Sequence, residues 1–207
     1  MSTLSALLIG LLLGMRHATD ADHVVTIATI VRLQDGVKSA LRVAIVWGLG
    51  HTATFFCVGL AIVAFRWEVP ALFEQATELA VALLLVGLGA SHFLRRKPNP
   101  ATLVTPASES ALARPFLAGI VHGLAGSAAV ALLALATIHS IPGRIGYLAL
   151  FGAGTVLGMC VLTVSMMMPL QVLARRGGAW LDGLRAASCA VSIVLGLVLG
   201  TSVVTGG

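Results

Sequence analysis

Residues 4–31 read LSALLIGLLLGMRHATDADHVVTIATIV, and this stretch decides the fold. Apolar residues fill both of its ends, and it is longer than the roughly 17 to 25 residues that an α-helix needs to cross a bilayer. Its middle instead carries charged and titratable side chains, which are rare within lipid and mark functional positions there. The stretch therefore predicts a transmembrane helix that brings polar groups into the membrane interior.

The composition of the whole chain agrees with a membrane protein. Hydrophobic residues make up 58% of the 207 positions and charged residues only 10%, with a mean hydropathy of +1.01. A soluble domain of this composition could not cover itself with polar surface. The apolar runs predict a single all-α transmembrane domain over residues 1–207, a polytopic membrane protein of about six transmembrane helices. These runs lie near residues 4–31, 40–65, 79–94 (with a start as early as 71), 116–138, 145–169 and 186–204.

The distribution of positive charge predicts the orientation. Lys and Arg gather after the first, third and fifth runs, whereas the other two connections hold only Arg66 and Arg144. Positively charged connections tend to stay in the cytoplasm, so both termini are expected outside the inner (cytoplasmic) membrane. The net charge of +5 is thus explained by topology, and we expect no nucleic-acid partner.

The two halves of the chain resemble each other. Gly14-Met-Arg-His17 is matched by Gly119-Ile-Val-His122, and Trp47-Gly-Leu-Gly50 is matched by Phe151-Gly-Ala-Gly154. A repeat of three spans must place its second copy upside down, which is the plan of many secondary transporters and puts their site near the midplane. Coincidence among glycine-rich helices is the alternative. The predicted organisation is two inverted three-helix repeats, residues 1–96 and 115–207, joined by a cytoplasmic linker over 97–114.

The segment Arg16-His-Ala-Thr-Asp-Ala-Asp-His23 places two histidines, two carboxylates and an arginine inside the first span. Each charged group there costs roughly 2.5 to 3.5 kcal/mol, so a purely structural role is a weak explanation. Arg16 can pair with Asp20 one turn further on, which leaves Asp22 without a local counter-charge. A bound cation would supply that charge, and a proton relay through Asp and His is the competing explanation.

Helical geometry limits how this segment could bind an ion. A regular helix turns Asp22 well away from His17, so a straight helix cannot bring both of them and His23 onto one ion. Either the helix is distorted here or other spans contribute ligands. His51 and His122 fall at similar depths in the second and fourth spans, counting about 1.5 Å per residue. Imidazole suits Ni, Co, Zn and Cu, and the absence of paired cysteines disfavours Cu(I).

These residues carry a family resemblance. Arg16 to His23 fits R-H-A-x-D-A-D-H, the signature of the nickel/cobalt transporters of the NicO type, and Leu49-Gly-His-Thr52 is similar to their L-G-H-[ST] element. The segment from Gly119 to Ser127 resembles the fourth-span element of the short, six-span, urease-accessory-like branch. The resemblance implies metal binding in the first and second spans. The candidate metal ligands are His17, Asp22, His23 and His51, with Asp20, His122 and Ser127 as secondary candidates.

The resemblance also implies the function. We expect a secondary transporter of nickel or cobalt ions and not an enzyme, with the metal ion as substrate and no cofactor. Efflux-type relatives often carry a His-rich cytoplasmic loop, whereas residues 97–114 contain no His, so uptake is favoured, with proton coupling as an extension. The expected surroundings are the lipid bilayer and, downstream, metalloenzyme-assembly proteins, and a homo-oligomer is left open.

Two other functions stay open. An exporter of another small solute would use the His and Asp residues as a proton relay and would show no saturable metal binding. A membrane thiol-disulfide carrier would need one reactive cysteine in each half, and Cys57 and Cys160 occupy roughly corresponding spans. Neither cysteine has a polar neighbour in sequence that would stabilise a thiolate, so this function ranks last.

Overall fold

The computed structural model describes residues 3–31, 34, 36–65, 69–94, 109–125, 138, 140–174 and 178–206. These residues form seven α-helices and, within the described ranges, no strand. The helices are α1 (Thr3–His17), α2 (Ala21–Val31), α3 (Val37–Phe65), α4 (Ala71–Leu94), α5 (Glu109–Leu124), α6 (Ile141–Ala174) and α7 (Gly178–Thr205).

The helices confirm the prediction of an all-α polytopic membrane protein. Of the helices in the described ranges, α3, α4, α6 and α7 are each long and apolar enough to cross a membrane. Large apolar side chains on them are exposed, among them Leu49, Leu83 and Leu197. Exposed leucines on every long helix would be a liability in water and are the expected surface toward lipid. α1, α2 and α5 are shorter apolar helices.

The first predicted span is not one continuous helix. The predicted span over residues 4–31 is distorted, one of the two alternatives that the sequence left open, because α1 ends at His17 and α2 begins at Ala21. The Thr19 and Asp20 amides donate to carbonyls only three residues back, at 2.8 and 3.0 Å, which tightens and ends the last turn. The Asp20 carbonyl then accepts from Val24 at 3.0 Å and so starts α2. The polar motif itself therefore interrupts the helix.

Glycines bring the helix backbones into contact. A Cβ at Gly14 would overlap the Phe151 carbonyl, so α1 and α6 touch backbone to backbone. A Cβ at Gly119 would overlap the Trp47 carbonyl in the same manner, where α5 meets α3. Small residues permit this close approach between helices in lipid. α4 packs along α7, and α2 contacts both α6 and α7.

Two buried apolar clusters flank the middle of the bundle. One contains Phe151 and its neighbours on α3 and α6, and the other contains Trp47 with residues of α2, α3 and α6. The histidines of the polar motif lie between these clusters, since His17 contacts the Phe151 ring and His23 contacts the Trp47 ring. The core thus holds the polar residues in an apolar enclosure.

Some of the predicted features lie outside the residues that the structure describes. Residues 97–108 of the predicted linker and the candidate Ser127 lie outside the described residues. The remainder of the predicted linker is helical, because α5 begins at Glu109. Pro115 is the seventh residue of α5, past the first four amides that lack an intrahelical partner, so its missing N–H costs the helix one hydrogen bond.

Candidate metal centre

Four histidines from four helices form one cluster. His17 ends α1, His23 lies in the first turn of α2, His51 lies in the middle of α3, and His122 lies near the end of α5. Their exposed fractions are 6%, 0%, 2% and 0%. The ring centroid of His23 lies 4.5 Å from that of His17, 5.0 Å from that of His51 and 4.6 Å from that of His122. His23 is therefore the centre of the cluster.

The local fold explains why these rings converge. The break at residues 18–20 reorients the chain between His17 and His23, so both side chains face the same interior space. On the other side, a Cβ at Gly123 would overlap the His51 carbonyl, which means that α5 lies directly against α3 at this level. The glycine contact brings His122 beside the Trp47 ring, at 5.4 Å between centroids.

Carboxylates fix the orientation of the imidazoles. The Asp22 carboxylate accepts a hydrogen bond from His23 Nδ1 at 3.2 Å and another from His122 Nε2 at 2.8 Å. Asp20 accepts from His17 Nδ1 at 2.9 Å. A neutral His17 that donates from Nδ1 must accept at Nε2, so His51 Nε2 donates to it across 3.3 Å. Each ring is left in a defined tautomer.

In these tautomers, three ring nitrogens keep a lone pair that accepts no hydrogen bond from the described part of the chain. His23 Nε2, His51 Nδ1 and His122 Nδ1 are buried and have no hydrogen-bond partner among the described residues. A buried polar atom without a partner carries a desolvation cost, so native structures satisfy nearly all of them. A cation would accept such lone pairs in either of two places, since His23 and His51 belong to one group of donors and His23 and His122 to another. A histidine that donates its other N–H to a carboxylate is the common arrangement of a metal-ligating imidazole.

The donor atoms form two overlapping groups. One group consists of His17, His23 and His51, and the other consists of Asp22, His23 and His122. Within each group the donor atoms lie within 4.8 Å of one another. His23 belongs to both groups. The residues therefore fit a divalent transition metal with nitrogen and carboxylate donors, in either of two adjacent positions.

A comparison with known proteins gives the family. The chain is 32% identical over 189 residues to the urease accessory protein UreH of Bacillus sp. (strain TB-90), and the match covers 84% of this chain and 81% of that protein. The chain belongs to the UreH family. No family model matches it, and no solved structure does so significantly. This relationship agrees with the family resemblance that the motifs of this chain carry.

The structure of this UreH family member brings the predicted ligands together. The cluster contains all four of the predicted ligands, His17, Asp22, His23 and His51. Both alternatives that the sequence left open apply, because the helix is broken after His17 and helices other than the first supply candidate ligands. His122, ranked as secondary, is as buried as His23 and bonds directly to Asp22. Its sequence signal was the match of Gly119–His122 to Gly14–His17.

Two details of the sequence prediction need correction or addition. Asp20 does not pair with Arg16 among the described residues; its carboxylate accepts from His17 and stays 39% exposed at the edge of the cluster. Trp47 was not among the predicted site residues, yet its fully buried ring packs against both His23 and His122. The repeated motif that contains Trp47 and Phe151 was the available signal, because both rings line the histidine cluster.

Proposed function

We propose that this protein carries Ni²⁺ or Co²⁺ across the cytoplasmic membrane as a secondary transporter, in the direction of uptake. The observation that carries the proposal is the set of three buried imidazole nitrogens without partners, at a helix break in the middle of an apolar bundle. The relative is named a urease accessory protein, which agrees with nickel as the proposed substrate of this chain.

The chemistry of the donors supports a borderline divalent metal. Imidazole nitrogen with one carboxylate suits Ni²⁺, Co²⁺ and Zn²⁺, whereas Mg²⁺ and Ca²⁺ prefer oxygen ligands throughout. Neither donor group contains a thiol, which is the ligand that Cu(I) would favour. Cys57 and Cys160 stand apart from both groups, so the geometry gives the thiol-disulfide carrier no support.

We also propose six spans arranged as two inverted repeats. The matched glycine contacts support this plan, because Gly14 meets Phe151 and Gly119 meets Trp47, each pair about half the chain from its equivalent. Gly50 meets the Phe116 carbonyl and Gly154 meets the Leu11 carbonyl, which is a second matched pair. In an inverted repeat, motion of one half against the other exposes a midplane site to each side in turn.

Proton coupling is an extension of the same proposal. The nitrogens that would hold the metal also bind protons, so protonation on the cytoplasmic side would favour release of the ion. The Asp22 carboxylate, which bonds to His23 and His122, would balance the charge of either the metal ion or the bound protons. The direction of transport rests on the sequence alone, since the connection over residues 97–114 lacks the His-rich loop of efflux-type relatives.

Radioactive nickel accumulation in cells tests the proposal. Cells that make the intact protein should accumulate nickel, and His23→Ala should reduce accumulation to background because His23 serves both donor groups. Tyr147→Phe is the matched control, since Tyr147 is equally buried but lies in the apolar cluster around Phe151. Cobalt and zinc as competitors would rank the substrates.

Two outcomes would contradict this proposal. Full accumulation by His23→Ala would remove the site assignment, and reduced accumulation in cells with the intact protein would reverse the direction. The exporter with a proton relay is the second candidate, because Asp20, His17 and His51 form a continuous hydrogen-bonded chain. It predicts that purified protein binds no nickel by calorimetry.

A further inference from the structure

A cavity of about 400 Å³ lies beside the histidine cluster, between α2, α4 and α7. Three carboxylates line it: Asp20 and Asp22 at the helix break and Glu78 on α4. We propose that this cavity is the outer access route for the metal ion, and that the Glu78 carboxylate attracts the cation into it. The inference rests on the proposed function and adds a residue and a path to it.

The ionisable side chains among the described lining of the cavity are all acidic. Its described lining contains three carboxylates, no lysine and no arginine, and its other walls are apolar apart from Ser202. A cleft of one charge sign within low-dielectric walls concentrates ions of the opposite sign and raises their rate of association. Glu78 lies two turns inside α4, where a carboxylate is costly unless a cation or water-filled space faces it.

The cavity leads to the unpartnered nitrogens. Asp22 lines the cavity and also accepts hydrogen bonds from His23 and His122, so one carboxylate belongs to both the cavity and the cluster. Its side chain is 16% exposed, whereas those of His23 and His122 are fully buried. The rings of His23 and His122, which carry the unpartnered nitrogens, therefore lie directly against Asp22. Asp22, His23 and His122 offer donor atoms within 4.8 Å of one another, so a cation held at Asp22 is within reach of both rings.

The opposite side of the cluster is packed with apolar side chains. Ile27 on α2, Ala40 on α3 and Met167 on α6 pack together in the apolar cluster that contains Trp47. These residues lie toward the connection after the first span, which the charge distribution predicts to be cytoplasmic. Glu78 lies near the start of α4 and Ser202 near the end of α7, and both of these helix ends are predicted to face outside. Within the described residues, the cavity of about 400 Å³ thus lies on the predicted outer side, whereas the inner side holds a space of about 10 Å³ lined by Ile27, Ala40 and Trp47 among others.

Substitution of Glu78 tests the access route. Glu78→Gln should raise the nickel concentration for half-maximal uptake about tenfold, with little change in the maximal rate, because it removes the attracting charge but none of the ligands. Glu78→Asp keeps the charge and should keep the half-maximal nickel concentration close to that of the intact protein. Glu74→Gln is the matched control, since Glu74 lies one turn earlier on the exposed surface of α4 and does not line the cavity. Uptake kinetics that are identical for Glu78→Gln and the intact protein would overturn the proposal.

The outcomes separate this inference from the proposed function. Loss of uptake in His23→Ala with normal uptake in Glu78→Gln would leave the transporter standing and remove the access route. Retained uptake in His23→Ala would instead remove the transport site. Equal defects in Glu78→Gln and Glu74→Gln would show a nonspecific surface effect and overturn the role of Glu78.

Labelling from one side of the membrane gives an independent test. Ser202→Cys places a thiol on the wall of the cavity, and a membrane-impermeant thiol reagent added to intact cells should label it and block nickel uptake. Val198→Cys is the control, because Val198 is exposed on α7 but does not line the cavity, and the native chain gives the background of its own cysteines. Labelling of Ser202→Cys only in inverted vesicles would overturn the outward opening.

Discussion

The contact of α1 with α6 and the contact of α5 with α3 are built alike, each with a glycine against a carbonyl. Gly14 meets Phe151 and Gly119 meets Trp47, and a histidine follows each glycine by three residues. Beyond that histidine the two regions differ. The helix ends soon after the histidine in both regions, because the Ala125 amide donates to the His122 carbonyl as the Asp20 amide donates to the His17 carbonyl, but only the first region adds Asp22 and His23. The packing is repeated, while most of the candidate ligands are concentrated in one copy.

The repeated packing should give the largest effect when it is disturbed. Gly14→Ala and Gly119→Ala each place a methyl group on a carbonyl of the neighbouring helix backbone, which cannot move aside like a side chain. We expect each to lower the yield of folded, monodisperse protein severely, at a cost above about 4 kcal/mol. Size-exclusion chromatography in detergent measures this. Gly87→Ala is the control, since a Cβ there meets nothing within 4 Å. Equal yields for all three variants would contradict the close approach.

Metal affinity should separate the central histidine from the peripheral ones. His23 belongs to both donor groups, whereas His51 and His122 each belong to one. His23→Ala should therefore weaken nickel binding at least about a hundredfold, and His51→Ala or His122→Ala about tenfold, as tenfold corresponds to 1.4 kcal/mol. Isothermal titration calorimetry on purified protein tests the order. A larger loss for His122→Ala than for His23→Ala would break the assignment of His23 as the shared ligand.

Asp22 should contribute less than His23, the central imidazole that it orients. Asp22→Asn keeps the shape of the side chain but removes the charge and one acceptor for His23 and His122. Loss of such an orienting carboxylate costs about 10- to 100-fold in metal affinity. The same calorimetric titration, with a circular dichroism spectrum to show that the helices persist, checks this. Unchanged affinity would show that the carboxylate has no part in the site.

The smallest effect is expected at Asp20. Its carboxylate is 39% exposed and orients only His17, which belongs to one donor group. Asp20→Asn retains an oxygen that accepts from His17 Nδ1, so nickel affinity should fall by less than about tenfold. Asp22→Asn measured alongside is the comparison. A greater loss for Asp20 than for Asp22 would move the centre of the site toward the α1 end of the break.

The sequence by itself determined the class of the protein and most of the candidate residues. Apolar composition and long apolar runs determine membrane helices, because backbone groups in lipid must bond within their own segment. The cost of charge in lipid singled out Arg16–His23, and the histidines at similar depth in later spans followed from helix rise. Gly119–His122 resembled Gly14–His17, which also indicated His122.

Only the tertiary structure decided how these residues meet. The break at residues 18–20 depends on backbone hydrogen bonds of Thr19 and Asp20 that apolar periodicity does not encode. The rank of His122, the rings of Trp47 and Phe151 around the cluster, and the nearness of Glu78 to Asp22 all depend on contacts between distant helices. Such contacts arise from glycine positions and side-chain packing across helices. A linear pattern specifies which face a residue occupies, but the partner on the facing helix is set by the assembled bundle.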